Sequence, residues 1–125
     1  MIAVDTSSWI AYLSGAQGDD VPVVDAALAD SQVCLPPVVL TELLSDPGLP
    51  PRVAEVLSEV PVLDLTPGYW ERAGRLRARI LAGRRKARLA EALIAQSCLD
   101  HGVALVTRNR DFRPFAQVAR LKLVP

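Results

Sequence analysis

Residues 1–13 read MIAVDTSSWIAYL. Ile2, Ala3 and Val4 are apolar on successive positions, the pattern of a strand covered on both faces, as in a parallel sheet. Asp5 then opens a polar cluster with Thr6, Ser7 and Ser8, and Trp9 to Leu13 resume an apolar, helical run. A helix start needs one side-chain oxygen to accept a bond from an orphan backbone amide. Four candidates stand here. Asp5 is therefore either a cap or half of a site, at the carboxyl end of a strand, where open α/β sheets bind their ligands.

Outward from this stretch, strands and helices alternate. VPVVDAALAD (21–30) reads as a helix and QVCLP (32–36) as a second strand. Pro36 and Pro37 suit a helix start, with Asp46-Pro47-Gly48 as its stop, and Pro50 or Pro51 opens another short helix. PVLDL (61–65) reads as a third strand, followed by a long helix capped by Thr66 and stopped near Gly83. RLAEALIAQSCLDHG (88–102) is apolar nearly all round, hence a central, buried helix ending at Gly102. VALVT (103–107) is a fourth strand, RNRDFRPFA (108–116) a loop or short turn, and LKLV (121–124) a final strand. This alternation predicts one α/β domain over residues 1–125 with a mainly parallel central sheet.

Half of the 125 residues are hydrophobic and only six are aromatic, so the core is aliphatic. Cys34 and Cys98 sit in apolar surroundings without metal-type spacing and read as reduced core residues. No apolar run approaches the roughly 20 residues of a spanning helix, and nothing resembles a signal peptide, so a cytoplasmic protein without membrane contact is expected. The net charge of zero hides a division: residues 1–70 carry ten acids and one base, Arg52, whereas residues 71–125 carry four acids and thirteen bases. A neutral total therefore does not argue against nucleic acid, because the local field is what a polyanion meets. Arg72, Arg75 and Arg79 suit one solvated helix face. Arg84, Arg85, Lys86 and Arg88, between two helices, suit phosphate contact.

Two further acids break apolar patterns. Glu42 has Val38 and Val39 one turn behind it, and Glu91 has Ile94, Ala95 and Cys98 on its stripe. An ionised carboxylate at such a position is costly unless a partner or metal balances it. With Asp5, and with Asn109 and Asp111 after the fourth strand, these acids suit a hard divalent cation, which prefers oxygen ligands. His101, the single histidine, reads as a helix-end residue. Trp9, Tyr12, Tyr69 and Trp70 suit core packing or a dimer surface better than base stacking. A phospho-accepting receiver domain is disfavoured: no acidic pair stands beside Asp5 at the first strand's end, and VTRNRDF holds no Lys.

The set VDTSSWI (4–10), LTELL (40–44), RLAEALIAQSCLDHG (88–102) and ALVTRNRDF (104–112) resembles the PIN-domain family, in particular the VapC-type toxins of bacterial toxin–antitoxin modules. The likeness covers nearly the whole chain. It implies a three-layer sandwich with a parallel central sheet, and a Mg²⁺- or Mn²⁺-dependent endoribonuclease acting on structured RNA such as transfer or ribosomal RNA. It implies Asp5, Glu42 and Glu91 as the first three family acids, with Asn109 or Asp111 in the fourth role. Asp5, Glu42, Glu91 and Asp111 would hold the metal, and a water activated by it would leave a 5′-phosphate and a 3′-hydroxyl. Thr6 and Thr107 would orient carboxylates or waters. Arg84, Arg85, Lys86 and Arg88 would hold RNA backbone, with Arg108, Arg110 and Arg113 as a second basic group. The family further implies a homodimer and a VapB-type antitoxin whose tail, often through an Arg, fills the acidic site. Two positions depart from the pattern: Glu91 is one methylene longer than the usual Asp, and Asn109 offers an oxygen without charge. They keep open an alternative, a weakened or inactive PIN-like domain that binds RNA or a protein partner without cutting.

Overall fold

The computed structural model describes all residues 1–125. Four short strands, β1 (Ile2–Val4), β2 (Val33–Cys34), β3 (Ala104–Val106) and β4 (Leu123–Val124), form one sheet in the order β2-β1-β3-β4. Every pairing is parallel; Ile2 faces Val33 on one side and Ala104 on the other, and Leu105 faces Leu123. Seven α-helices flank it: α1 (Thr6–Leu13), α2 (Asp20–Ala29), α3 (Pro37–Leu44), α4 (Pro51–Ser58), α5 (Tyr69–Ala82), α6 (Leu89–His101) and α7 (Arg113–Ala119). Successive strand residues point to opposite faces. Ala3 with Val4 and Leu105 with Val106 are all inaccessible to solvent, so helices cover both faces. The expected α/β sandwich is present.

The strand order reverses direction between β1 and β3, whose carboxyl ends lie side by side. Asp5 directly follows β1, and Thr107 directly follows β3. A crevice at such a switch point is where open sheets of this kind hold ligands. The core beneath it is aliphatic except for Trp9, Phe112 and Phe115, all fully buried. Ile80 of α5 and Ile94 of α6 meet in the same cluster; burying each contributes about 1.5–3 kcal/mol. Both cysteines are free and buried, and burial pushes both thiols up. No helix is long and apolar enough to cross a membrane.

Two expected elements differ. PVLDL contributes one bridge, Leu35 to Val62, rather than a strand. Pro61 has no N–H to donate; its carbonyl accepts from Leu35 N at 2.8 Å, and Leu63 N reaches back to Leu35 O at 2.8 Å. Val62 itself is exposed at this edge. RNRDFRPFA is more than the loop or short turn expected. It forms a 3₁₀ turn at Arg110–Phe112 and then α7, in whose first turn Pro114 stands, the place where its missing N–H costs nothing. Phe112 and Phe115 hold this segment to the core.

Candidate active site

Asp5 caps α1 and also lines a cavity at the end of the sheet. Its Oδ2 accepts from Ser7 N at 3.4 Å and from Ser7 Oγ at 2.7 Å, and so caps α1. The same oxygen accepts from Thr107 Oγ1 at 2.9 Å, which ties the end of β1 to the end of β3. Oδ1 has no donor from the protein. Its backbone is fixed as well, Asp5 N donating to Val106 O at 2.8 Å.

Glu42, on α3, is held by Thr6, whose Oγ1 donates to Oε1 at 2.8 Å. The sequence places it on a core stripe, but it is exposed. The inward stripe of α3 runs through Val39 and Leu43, one position away. Glu91 lies in the first turn of α6 and is truly buried, 6% exposed. Its Oε1 accepts a long bond, 3.3 Å, from Asn109 Nδ2, and its Oε2 is buried with no partner at all. Burial first, and the charge of Asp111 second, push its carboxyl above the ordinary range. A buried carboxylate oxygen without a donor is costly in a chain this well hydrogen-bonded.

Asp5, Glu42, Glu91, Asn109, Thr6 and Arg88 line one cavity of about 200 Å³. Asp111 does not line it; its carboxylate turns to Lys86 Nζ at 3.2 Å. Asn109 has both ends of its amide engaged, Oδ1 accepting from Asp111 N at 2.9 Å. No three acidic, His or Cys side chains approach closely enough to form a closed metal cage. The donor type is nevertheless the one a hard cation prefers: carboxylates from three separate elements line the one cavity. Mg²⁺ typically takes one or two direct carboxylates and keeps several waters. A larger apolar groove of about 730 Å³, lined by Tyr12, Leu28, Val53 and Val56, holds none of the three acids.

Among the bases, Arg88 reaches the cavity rim, Arg85 donates to Gln117, and Arg84, Arg110 and Arg113 are exposed. Arg108 departs from the expected RNA contact. Its Nε and Nη2 grip the two oxygens of buried Asp20 at 2.9 and 2.7 Å, and Nη2 also reaches Gln17 O. Ser8 Oγ completes the cluster, 2.7 Å from Asp20 Oδ2. Asp20 and Ser7 are the residues that sequence reasoning passed over. Ser7 was visible as one of four cap candidates. Asp20 carried no local signal, because its meaning comes from an arginine 88 positions away.

An acidic crevice at the switch point of a parallel sheet defines an α/β domain with a carboxylate-based site. A family model for the PIN domain matches residues 2–121, and the chain belongs to that family. Solved structures give the same fold. VapBC from Salmonella typhimurium in a DNA-bound crystal structure has a TM-score of 0.75 at 20% identity, covering 99% of this chain and 98% of that one. VapBC2 from Rickettsia felis, bound to a DNA fragment from its promoter, has a TM-score of 0.74 at 19% identity, with 99% and 98% covered. A toxin–antitoxin complex from Klebsiella pneumoniae has a TM-score of 0.72 at 20% identity, with 100% and 97% covered. The comparison with curated proteins gives no match.

Proposed function

We propose that this PIN-domain protein is a divalent-metal-dependent endoribonuclease, the VapC-type toxin of a toxin–antitoxin pair, hydrolysing phosphodiester bonds in structured RNA. The observation that carries the reading is the cavity shared by Asp5, Glu42 and Glu91, with a buried glutamate oxygen lacking any partner. Asp5, Glu42 and Glu91, which share the cavity, would hold Mg²⁺ or Mn²⁺. Asp111 joins them only by releasing Lys86. The chemistry such an ion supplies is the acidification of water and the neutralisation of charge on the phosphoryl group. The protein's own part is orientation: Thr107 and Ser7 fix Asp5, Thr6 fixes Glu42, and Asn109 fixes Glu91. Arg88 at the rim, with Arg84, Arg85, Lys86, Arg110 and Arg113, holds the RNA backbone. Such contacts position the chain and make binding fall with salt.

The partner in this reading is a VapB-type antitoxin that places a cation among the three carboxylates, relieving their mutual repulsion. Exposed Ile10, Leu44 and Val56 offer apolar surface to a second copy. Total RNA incubated with Mn²⁺ tests the activity: the parent chain cuts it and Asp5→Ala does not. Equal cutting by both removes Asp5 from the reaction. The second reading, a PIN domain that binds without cutting, is favoured by the engaged Asn109 amide and the absence of a closed cage. Manganese titration separates the two, since a dead site takes up little or no ion.

A further inference from the structure

A groove of about 630 Å³ between α5, α6 and α7 is rimmed by Arg72, Arg75, Arg79 and Arg120. Its floor is apolar, with Leu76 and Leu99, and no carboxylate lines it. Arg72 is neutralised by Asp100, 2.6 Å away. Arg75 and Arg120 make no ion pair, nor does Glu71, one turn before Arg75. Arg79 engages one nitrogen with Val118 O at 3.0 Å and keeps its full charge.

The backbone adds an independent observation. Two of the three non-glycine residues with positive φ are Arg84 (60°) and Arg120 (62°). Arg120 caps the C-terminus of α7, a position glycine fills without steric cost, as Gly102 does for α6. Keeping a long cationic side chain against the backbone's preference points to a use for that side chain.

The groove and the carboxylate cavity share no lining residue, but a chain of basic residues and their contacts links the two. Arg88 lines that cavity, and Lys86, two residues earlier, meets Asp111. Arg85 donates to Gln117 on α7, and the next residue, Val118, is the one whose carbonyl Arg79 holds. Arg88 at the acidic rim, Arg85 against α7 and Arg79 in the groove thus form a row of cations, with Lys86 paired to Asp111 between them. A lone anion needs one or two cations; a row leading away from a cleavage site suits a polymer charged at every unit. We propose that the α5–α7 groove, through Arg75, Arg79 and Arg120, is a second seat for the phosphate backbone of an RNA whose scissile bond lies in the carboxylate cavity. This inference rests on the ribonuclease reading above. Leu99 in the groove is eight residues along α6 from Glu91, about 12 Å of helix rise, so only an RNA of several nucleotides reaches both.

The test compares the full chain with the double variant Arg75→Gln/Arg120→Gly, neither position touching the carboxylate cavity. Binding of a labelled single-stranded RNA of about 30 nucleotides is followed across a salt series in EDTA. The variant binds about tenfold more weakly, and its log–log salt slope is shallower by about 1.4, some 0.7 for each phosphate no longer neutralised. Its melting temperature equals or exceeds the parent's, because the strained position now holds glycine. With Mn²⁺, cleavage of an oligonucleotide of about four nucleotides is unchanged, while the long RNA loses kcat/KM through KM. Unchanged affinity and slope overturn the proposal. So does polyglutamate of matched length competing as well as RNA, which assigns the groove to an acidic polypeptide. Binding is read without turnover, so a parent that binds the long RNA and cuts nothing sinks the ribonuclease reading alone.

Discussion

Charging Glu91 carries a cost in the metal-free protein. Burial and the nearby charge of Asp111 raise its folded pKa above the unfolded value. The raised group favours the fold while it is protonated, below the ordinary carboxylate range, and that advantage is lost as pH rises through the folded pKa. Glu91→Gln, which keeps an oxygen for Asn109, therefore melts higher than the parent at neutral pH in EDTA. The gap closes as pH falls below about 4. A variant no more stable than the parent at neutral pH contradicts the assigned burial cost. Asp20 shows the opposite sign. The fork of Arg108, with help from Ser8 and against the cost of burial, holds its carboxyl at about 2. Its stabilisation is present above about pH 4 and is lost as pH falls through about 2. Discounted for the partial exposure of Arg108, it amounts to about 2 kcal/mol. Urea unfolding of the parent and Asp20→Asn is expected to differ by that amount at neutral pH and to converge in acid. A gap independent of pH removes the ion pair as its cause.

At the scale of elements, α6 organises the site by being buried on most sides while offering Glu91 in its first turn. Ala92 and Ala95 are both fully buried in the core cluster, and α6 packs against α5 and α3. Ala95→Leu is expected to lower stability by about 1–3 kcal/mol through overpacking, read by thermal melting against the parent. An unchanged melting temperature means that the helix has slack there. This helix was legible in the sequence because its apolar residues surround it and Gly102 ends it at φ 62°. The parallel sheet was legible from its uninterrupted apolar runs. α7 was not, because three arginines and a proline hide the anchoring Phe112 and Phe115 in a segment that reads as polar. PVLDL was misread for the opposite reason: an apolar pattern says nothing about whether a neighbour with free hydrogen-bonding groups lies alongside. In the site, Asp5 was legible from its place after a strand, and Glu91 from a helical stripe that proved to be core. Glu42 was singled out by the same kind of stripe although its side chain is exposed; the register was off by one position. The Asp20–Arg108 pair was invisible, since nothing local distinguishes a buried aspartate from a loop acid.

Across the whole molecule, the division of charge along the chain becomes a division of roles. The sheet carries Asp5 to the crevice, helices α3 and α6 bring Glu42 and Glu91 from other parts of the chain, and the arginine-rich stretch from α5 to α6 arrives at the same rim through Arg88. The acidic half and the basic half thus meet at one edge of the fold, an arrangement suited to a polyanion bridged to carboxylates by a cation. That bridge is the central claim, and a crystal soaked in Mn²⁺ tests it most directly. Anomalous density is expected inside the cavity bounded by Asp5, Glu42 and Glu91, and is expected to vanish in Asp5→Ala crystals of unchanged fold. A cavity that stays empty at saturating manganese, or a peak indifferent to the loss of Asp5, contradicts it.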